Sequence, residues 1–171
     1  MSYAADLVAG DLNNNPDVFV STRPTPPPSS YCSATTTLAG CTAALLSAGA
    51  PSASSGASFT LSLAQIDGQR SARIVYGLNG ALALPWAAGS TSTLCVRPPL
   101  QRGTLLNTGG ASGACTGSLT FDFTSFLATH PFALGSPLTP GDTFWAQAWI
   151  QAPGAPKGSQ LSSAVTFVIA P

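Results

Sequence analysis

The chain contains no glutamate and a single lysine, Lys157. Amphipathic helices keep their outer faces in water largely with Glu, Lys and Arg, which are also strong helix formers. A sequence with 7% charged residues, where about 25% is usual, cannot coat many helices. Yet 44% of the residues are hydrophobic, which excludes the high-charge composition of a disordered chain. Ser, Thr, Gln and Asn must supply the wetted surface, and they suit the outer faces of strands. The expectation is an all-β protein, and 171 residues suffice for one sizeable core but not for two.

Periodicity agrees. "ASFTLSLAQI" places Phe59, Leu61 and Leu63 on one face and Thr60, Ser62 and Ala64 on the other, the alternation of a half-buried strand. "SLTFDFTSFLA" turns Leu119, Phe121 and Phe123 inward and Thr120 and Asp122 outward. "SARIVYG" and "GALALPW" flank Asn79-Gly80, a tight-turn dipeptide that predicts a hairpin. "STLCVRP", "QRGTLLN", "DTFWAQAWIQA" and "SSAVTFVIA" supply further strands, "TGGASGACTG" a loop, and 124–129 one helical turn ended by Pro131. Eight or so short strands separated by turns describe a single antiparallel β-sandwich, Ig-like or jelly-roll-like. No repeat of fixed period occurs within residues 31–171. Upstream, "PTPPPSS" at 24–30 reads as a stiff linker, so residues 1–23 are expected to be the remnant of a preceding unit and 31–171 the module itself.

Net charge is zero, and without a stripe of cations a nucleic-acid partner is not expected. No apolar run reaches the length of a membrane span, so no membrane insertion is expected. The opening "MSYAADLVAG" lacks the basic start and apolar middle of a signal peptide. The four cysteines, Cys32, Cys41, Cys95 and Cys115, nevertheless suit an oxidising, extracellular or cell-surface compartment. Together these lead to the expectation of a piece of a larger exported protein. Zinc would need a C-x-x-C or a His near a Cys, and neither is present. Four cysteines allow three pairings. Cys32–Cys41 and Cys95–Cys115, which close the shortest loops, are the expected pair of disulfides.

The string "YC…LAGC…GAPSASSGASFTLSLAQI…YGLNGALALPW…STLCV…FDF…GDTFWAQAWIQAP…LSSAVTFVIAP" resembles a disulfide-containing module at the C-terminal ends of large secreted bacterial multidomain proteins. "LVAGDLNNNPDVFV" resembles the end of a TolB-like or FG-GAP-like propeller repeat, which commonly precedes that module. The resemblance implies export as part of a larger bacterial protein. It brings no catalytic residues with it.

Asp11, Asn13, Asn15 and Asp17 carry oxygen ligands at the alternate spacing used by hard cations. Pro16 stands where a calcium loop needs Gly, and no acidic residue closes the loop at Thr22. A repeat edge with little metal affinity is therefore expected, and no cofactor. His130 is the one imidazole. A Ser-His-Asp arrangement would need Asp122 or Asp142 to orient its ring, yet no G-x-S-x-G elbow presents a nucleophile. Paired-carboxylate chemistry would draw on Asp67, Asp122 and Asp142, of which Asp67 and Asp142 read as turn residues. Trp86, Trp145 and Trp149, with Tyr31 and Tyr76, offer faces for sugar rings. Trp145, Gln147 and Trp149 fall on one face of a regular strand, a row suited to a polysaccharide or cell-surface glycan. The arginines are dispersed, with Arg70 and Arg73 read as flanking a turn. The expected role is a non-catalytic accessory, adhesion or glycan-binding module. The alternative is a small hydrolase of a polysaccharide, ester or phosphoester, using His130, Asp122 and Asp142.

Overall fold

Two alternating segments, 59–66 and 117–123, pair with each other and begin the first of two larger sheets. The structure, a computed structural model, describes residues 24–37 and 39–171. Its strands are β1 (Ser29–Tyr31), β2 (Thr35–Thr36), β3 (Thr42–Ala43), β4 (Leu46–Ala48), β5 (Thr60–Ile66), β6 (Ser71–Gly77) and β7 (Ala81–Pro85). They continue as β8 (Thr93–Val96), β9 (Gln101–Arg102), β10 (Leu106–Asn107), β11 (Gly117–Asp122), β12 (Thr143–Gln151) and β13 (Ser159–Val168). Of the two larger sheets one runs β11-β5-β4 and the other β1-β13-β12-β6-β10 with β9 also on β6, while β2-β3 and β7-β8 form separate two-stranded pairs. All strand pairings are antiparallel. This is the expected antiparallel β-sandwich with two disulfides.

The core fills the space between the sheets. Phe59, Leu61 and Leu63 face Ile74, Tyr76, Phe144, Ala146 and Phe167, all buried. Phe144 and Phe167 stack with centroids 5.5 Å apart, and Phe123 meets each edge-on at 5.0 Å, the arrangement the ring quadrupole favours. Phe123 opens α1 (Phe123–Thr129), which turns Phe126 and Leu127 inward as well. Asp122 caps this helix and His130 ends it, one residue before Pro131, which disfavours continuation of the helix at His130.

The Asn79-Gly80 hairpin does not form as expected. Gly80 adopts φ +103° and turns the chain, but β7 pairs with β8 and not with β6. Both edges of β6 are already taken, by β12 on one side and by β9 and β10 on the other. The chain must therefore leave the sheet, and β7–β8 lies across its outer face as a third layer. Leu161 N–H donates to Ser92 Oγ at 3.1 Å, and Tyr31 Oη donates to Cys95 O at 2.9 Å.

That third layer also corrects the disulfides. The bonds are Cys32–Cys95 and Cys41–Cys115, not the short-loop pairs. Tyr31 of β1 pairs with Ala164 of β13, which pairs with Gln147 of β12. Cys95 is held over Gln147, which brings it to Cys32. Cys41 instead reaches the glycine-rich loop, which Gly68 N–H holds through Ala114 O at 3.0 Å. The first strand begins at Ser29, two residues inside the expected linker, because Ser29 and Ser30 pair with Thr166 and Val165. Asp11, Asn13, Asn15 and Asp17 lie outside the described residues.

Candidate functional site

The outer face of the large sheet carries one open cavity of about 540 Å³. Its floor follows from strand register. Trp149 of β12 lies between Arg73 of β6 and Leu161 of β13. In the neighbouring row, Val75 pairs with Arg102 of β9. Arg73 is thus the third residue of a strand, not the edge of a turn as the sequence suggested. Alternation sends Ala72, Ile74 and Tyr76 into the core, so Arg73 and Val75 must face outward.

The walls come from the third layer and the β12–β13 connection. Trp86, at the end of β7, donates its indole N–H to Ser159 Oγ at 3.0 Å. Lys157 places its ammonium 4.3 Å from the centroid of that indole. Arg73 sits 5.9 Å from the centroid of Trp149, within cation–π reach. Lys157 holds φ +59°, a left-handed backbone that L-residues other than Asn and Asp seldom adopt. Leu94, Pro98 and Leu100 complete the lining with apolar surface.

No protein family, characterised protein or solved structure matches this chain.

The other candidate residues fall elsewhere. Trp145 is half-buried on the same face, on the far side of Gln147, and does not line the cavity. Gln147 is 0% exposed. Its Oε1 accepts from Cys95 N–H at 3.1 Å, and its Nε2 donates to Thr93 O at 2.8 Å and Ser162 O at 2.7 Å. It clamps the third layer to the sheet and, fully buried, lies out of reach of a ligand. The aromatic–amide–aromatic row is thus split by the hairpin lying over its middle. Tyr76 is a core residue bonded to Leu134 O at 3.0 Å, and burial pushes the Tyr31 and Tyr76 phenols well above their usual range.

Asp122 and His130 stand at opposite ends of α1, separated along its axis by roughly 12 Å at 1.5 Å per residue. Asp122 lines a second cavity of about 530 Å³ with Ser58, Thr124 and Ser125. Its oxygens accept from Ser58 Oγ at 2.7 Å, Thr124 Oγ1 at 2.9 Å and Ser125 N–H at 2.9 Å. The Ser125 amide, followed by the Ser58 hydroxyl, holds its pKa below the usual carboxylate value. His130 stacks on Phe126 at 4.2 Å and bonds Phe126 O through Nδ1 at 2.9 Å. Asp142 occupies a turn closed by its own N–H to Thr139 O at 3.1 Å. Among the described residues no three His, Cys, Asp or Glu side chains gather as a metal-ligand set, and no helix is long and apolar enough to cross a membrane.

The residues that sequence reasoning missed are Arg73, Arg102 and Lys157. The period-two pattern of "SARIVYG" already places Arg73 outward. What brings it beside Trp149 is the β6–β12 register, for which a single sequence carries no local signal.

Proposed function

We propose that this chain is a non-catalytic glycan-binding module of a secreted bacterial protein, with its binding site in the cavity that Trp86 and Trp149 share. The observation that carries this reading is the meeting of two indoles, 63 residues apart in sequence, in one open cavity. The apolar C–H face of a pyranose ring packs on an indole much as another apolar ring would. Trp86 is pre-set for such contact, because its hydrogen bond to Ser159 fixes the ring before any ligand arrives. Two disulfides are compatible with an oxidising compartment, and the resemblance to secreted C-terminal modules supports the same location.

The hydrolase alternative draws no support from the placement of its residues. Asp122 is engaged as a helix cap, and His130 bonds Thr129 Oγ1 and Phe126 O and stacks on the Phe126 ring, with no carboxylate partner among the described residues.

A glycan array, followed by calorimetry on the oligosaccharides retained, tests the proposal. Trp86→Ala and Trp149→Ala should each weaken binding about tenfold or more, the loss of roughly 1.5 kcal/mol of ring contact. Trp145→Ala should leave it unchanged. Loss of binding in the Trp145 variant alone would place the site elsewhere, and hydrolysis of a chromogenic glycoside or ester by the purified chain would make it an enzyme.

A further inference from the structure

We propose that the cavity selects acidic glycans, seating a pyranose against Trp86 and Trp149 and holding its carboxylate or sulfate with Arg73, Arg102 and Lys157. The inference rests on the glycan-binding reading above and adds the chemical class of sugar to it.

Charge distribution is the first argument. The chain has six Lys and Arg residues, and three of them line this one cavity without any Asp among the lining residues. Arg102 pairs with Val75, so it is the diagonal neighbour of Arg73, roughly 7–8 Å away across the strands. Among the described residues no carboxylate pairs with Arg73, Arg102 or Lys157. Two of the three are instead stationed over indoles. Such a cation–π contact consumes no N–H hydrogen bond, so the Arg73 guanidinium keeps its fork for an oxyanion.

Hydrogen-bonding capacity is the second argument. A neutral sugar presents hydroxyls that both donate and accept, and sites for them normally combine donors with Asp, Asn or Gln acceptors. No such side chain lines this cavity. Its one hydroxyl, on Ser159, already accepts from Trp86 Nε1 at 3.0 Å and donates to Lys157 O at 3.4 Å. The Trp86 N–H is consumed by the same bond. The free side-chain hydrogen-bonding capacity is therefore dominated by the donors of three cations, and their complement is a group made of acceptors. Apolar walls from Val75, Leu94, Leu100 and Leu161 lower the local dielectric and strengthen each charge contact.

Calorimetric titration of the full chain against four probes tests this: an oligogalacturonide, a sulfated dextran oligosaccharide, a cello-oligosaccharide of similar length, and an oligothymidylate. One of the acidic oligosaccharides should bind about tenfold or more tighter than the neutral one. That preference should shrink as salt rises from about 50 to 200 mM. Arg102→Gln and Lys157→Gln, both on exposed side chains, should each reduce the ratio of acidic to neutral affinity by about tenfold, the worth of a charge-assisted hydrogen bond. Arg70→Gln, outside the cavity, should leave the ratio unchanged. Uronate tighter than sulfate, or the reverse, supports the proposal and identifies the acidic group. Equal affinity for acidic and neutral sugars, insensitive to salt, overturns the selectivity while leaving the glycan reading intact. Binding of none of the sugars overturns both. Tightest binding of the oligothymidylate overturns the saccharide in favour of a nucleic acid.

Discussion

Gln147 Oε1 accepts a hydrogen bond from the backbone N–H of Cys95, 52 residues earlier in the chain, at 3.1 Å. With the two bonds from Nε2 to Thr93 O and Ser162 O, one side chain ties β8 to both central strands of the large sheet. A donor or acceptor left unsatisfied in a dry interior costs about 1–3 kcal/mol. Gln147→Ala strands three such groups, and about 3–4 kcal/mol of stability should be lost in urea denaturation. Gln147→Glu retains the shape but turns a carboxylate toward two carbonyls, and should be at least as damaging. A change under 1 kcal/mol in either variant would show that the hairpin is held by something else.

The disulfides can be read directly by non-reducing peptide mapping. Fragments joined as Cys32–Cys95 and Cys41–Cys115 are expected. The bonds span 63 and 74 residues, so in the chain-entropy account each restricts the unfolded state by about 4 kcal/mol, more than a short loop would. Replacing either pair with Ala should lower the denaturation midpoint accordingly.

Asp122 predicts an acid limb to stability. Its folded pKa lies below the ordinary value of 3.8 because the Ser125 amide and the Ser58 hydroxyl bind the charged form. The stabilisation is therefore full above the unfolded pKa and is lost as pH falls through the folded one. Asp122→Ala should cost about 1 kcal/mol at neutral pH, the usual worth of an N-cap. The gap between wild type and variant should begin to narrow as pH falls below about 3.8 and close only at lower pH, once the folded carboxyl is protonated as well. Denaturant curves at pH 7 and pH 3 decide the point, and a gap that persists unchanged at pH 3 would contradict it.

Lys157 offers a separation of stability from binding. Its φ of +59° costs an L-residue about 1 kcal/mol that glycine does not incur. Lys157→Gly removes that strain but also loses the cation–π contact and loosens the unfolded chain, each worth about 0.5–1 kcal/mol. The melting temperature should stay within a few degrees, while affinity for an acidic oligosaccharide should fall about tenfold. A large loss of stability would mean that the lysine is retained for the fold.

The elements legible in the sequence were those decided by local pattern. Phe59, Leu61 and Leu63 alternate so regularly that their burial follows from side-chain period alone, and Pro131 marks the end of α1. What could not be read was anything that depends on which strands are neighbours. Asn79-Gly80 has the chemistry of a hairpin turn, yet β6 is satisfied by strands that arrive later in the chain. The same later arrivals bring Cys95 over β13 and defeat the short-loop disulfides. The candidate site divides in the same way. Trp149 and Trp86 were legible as aromatic faces, whereas Gln147 was misplaced because nothing local foretells a hairpin lying across its strand. Arg73, Arg102 and Lys157 come from three separate elements and meet only in the folded sheet.

The Cys32–Cys95 bond sets one route by which tension would cross the molecule. A pull on the chain ahead of Ser29 meets Cys32 at the far end of the three-residue β1. From there it passes through sulfur to Cys95, next to Leu94 in the cavity wall. A load taken by Leu94 would reach the upstream chain through covalent bonds almost the whole way. A load taken by Trp149 or Arg73 would instead enter the large sheet through β12 and β6, so the grip is shared between a covalent route and a hydrogen-bonded one.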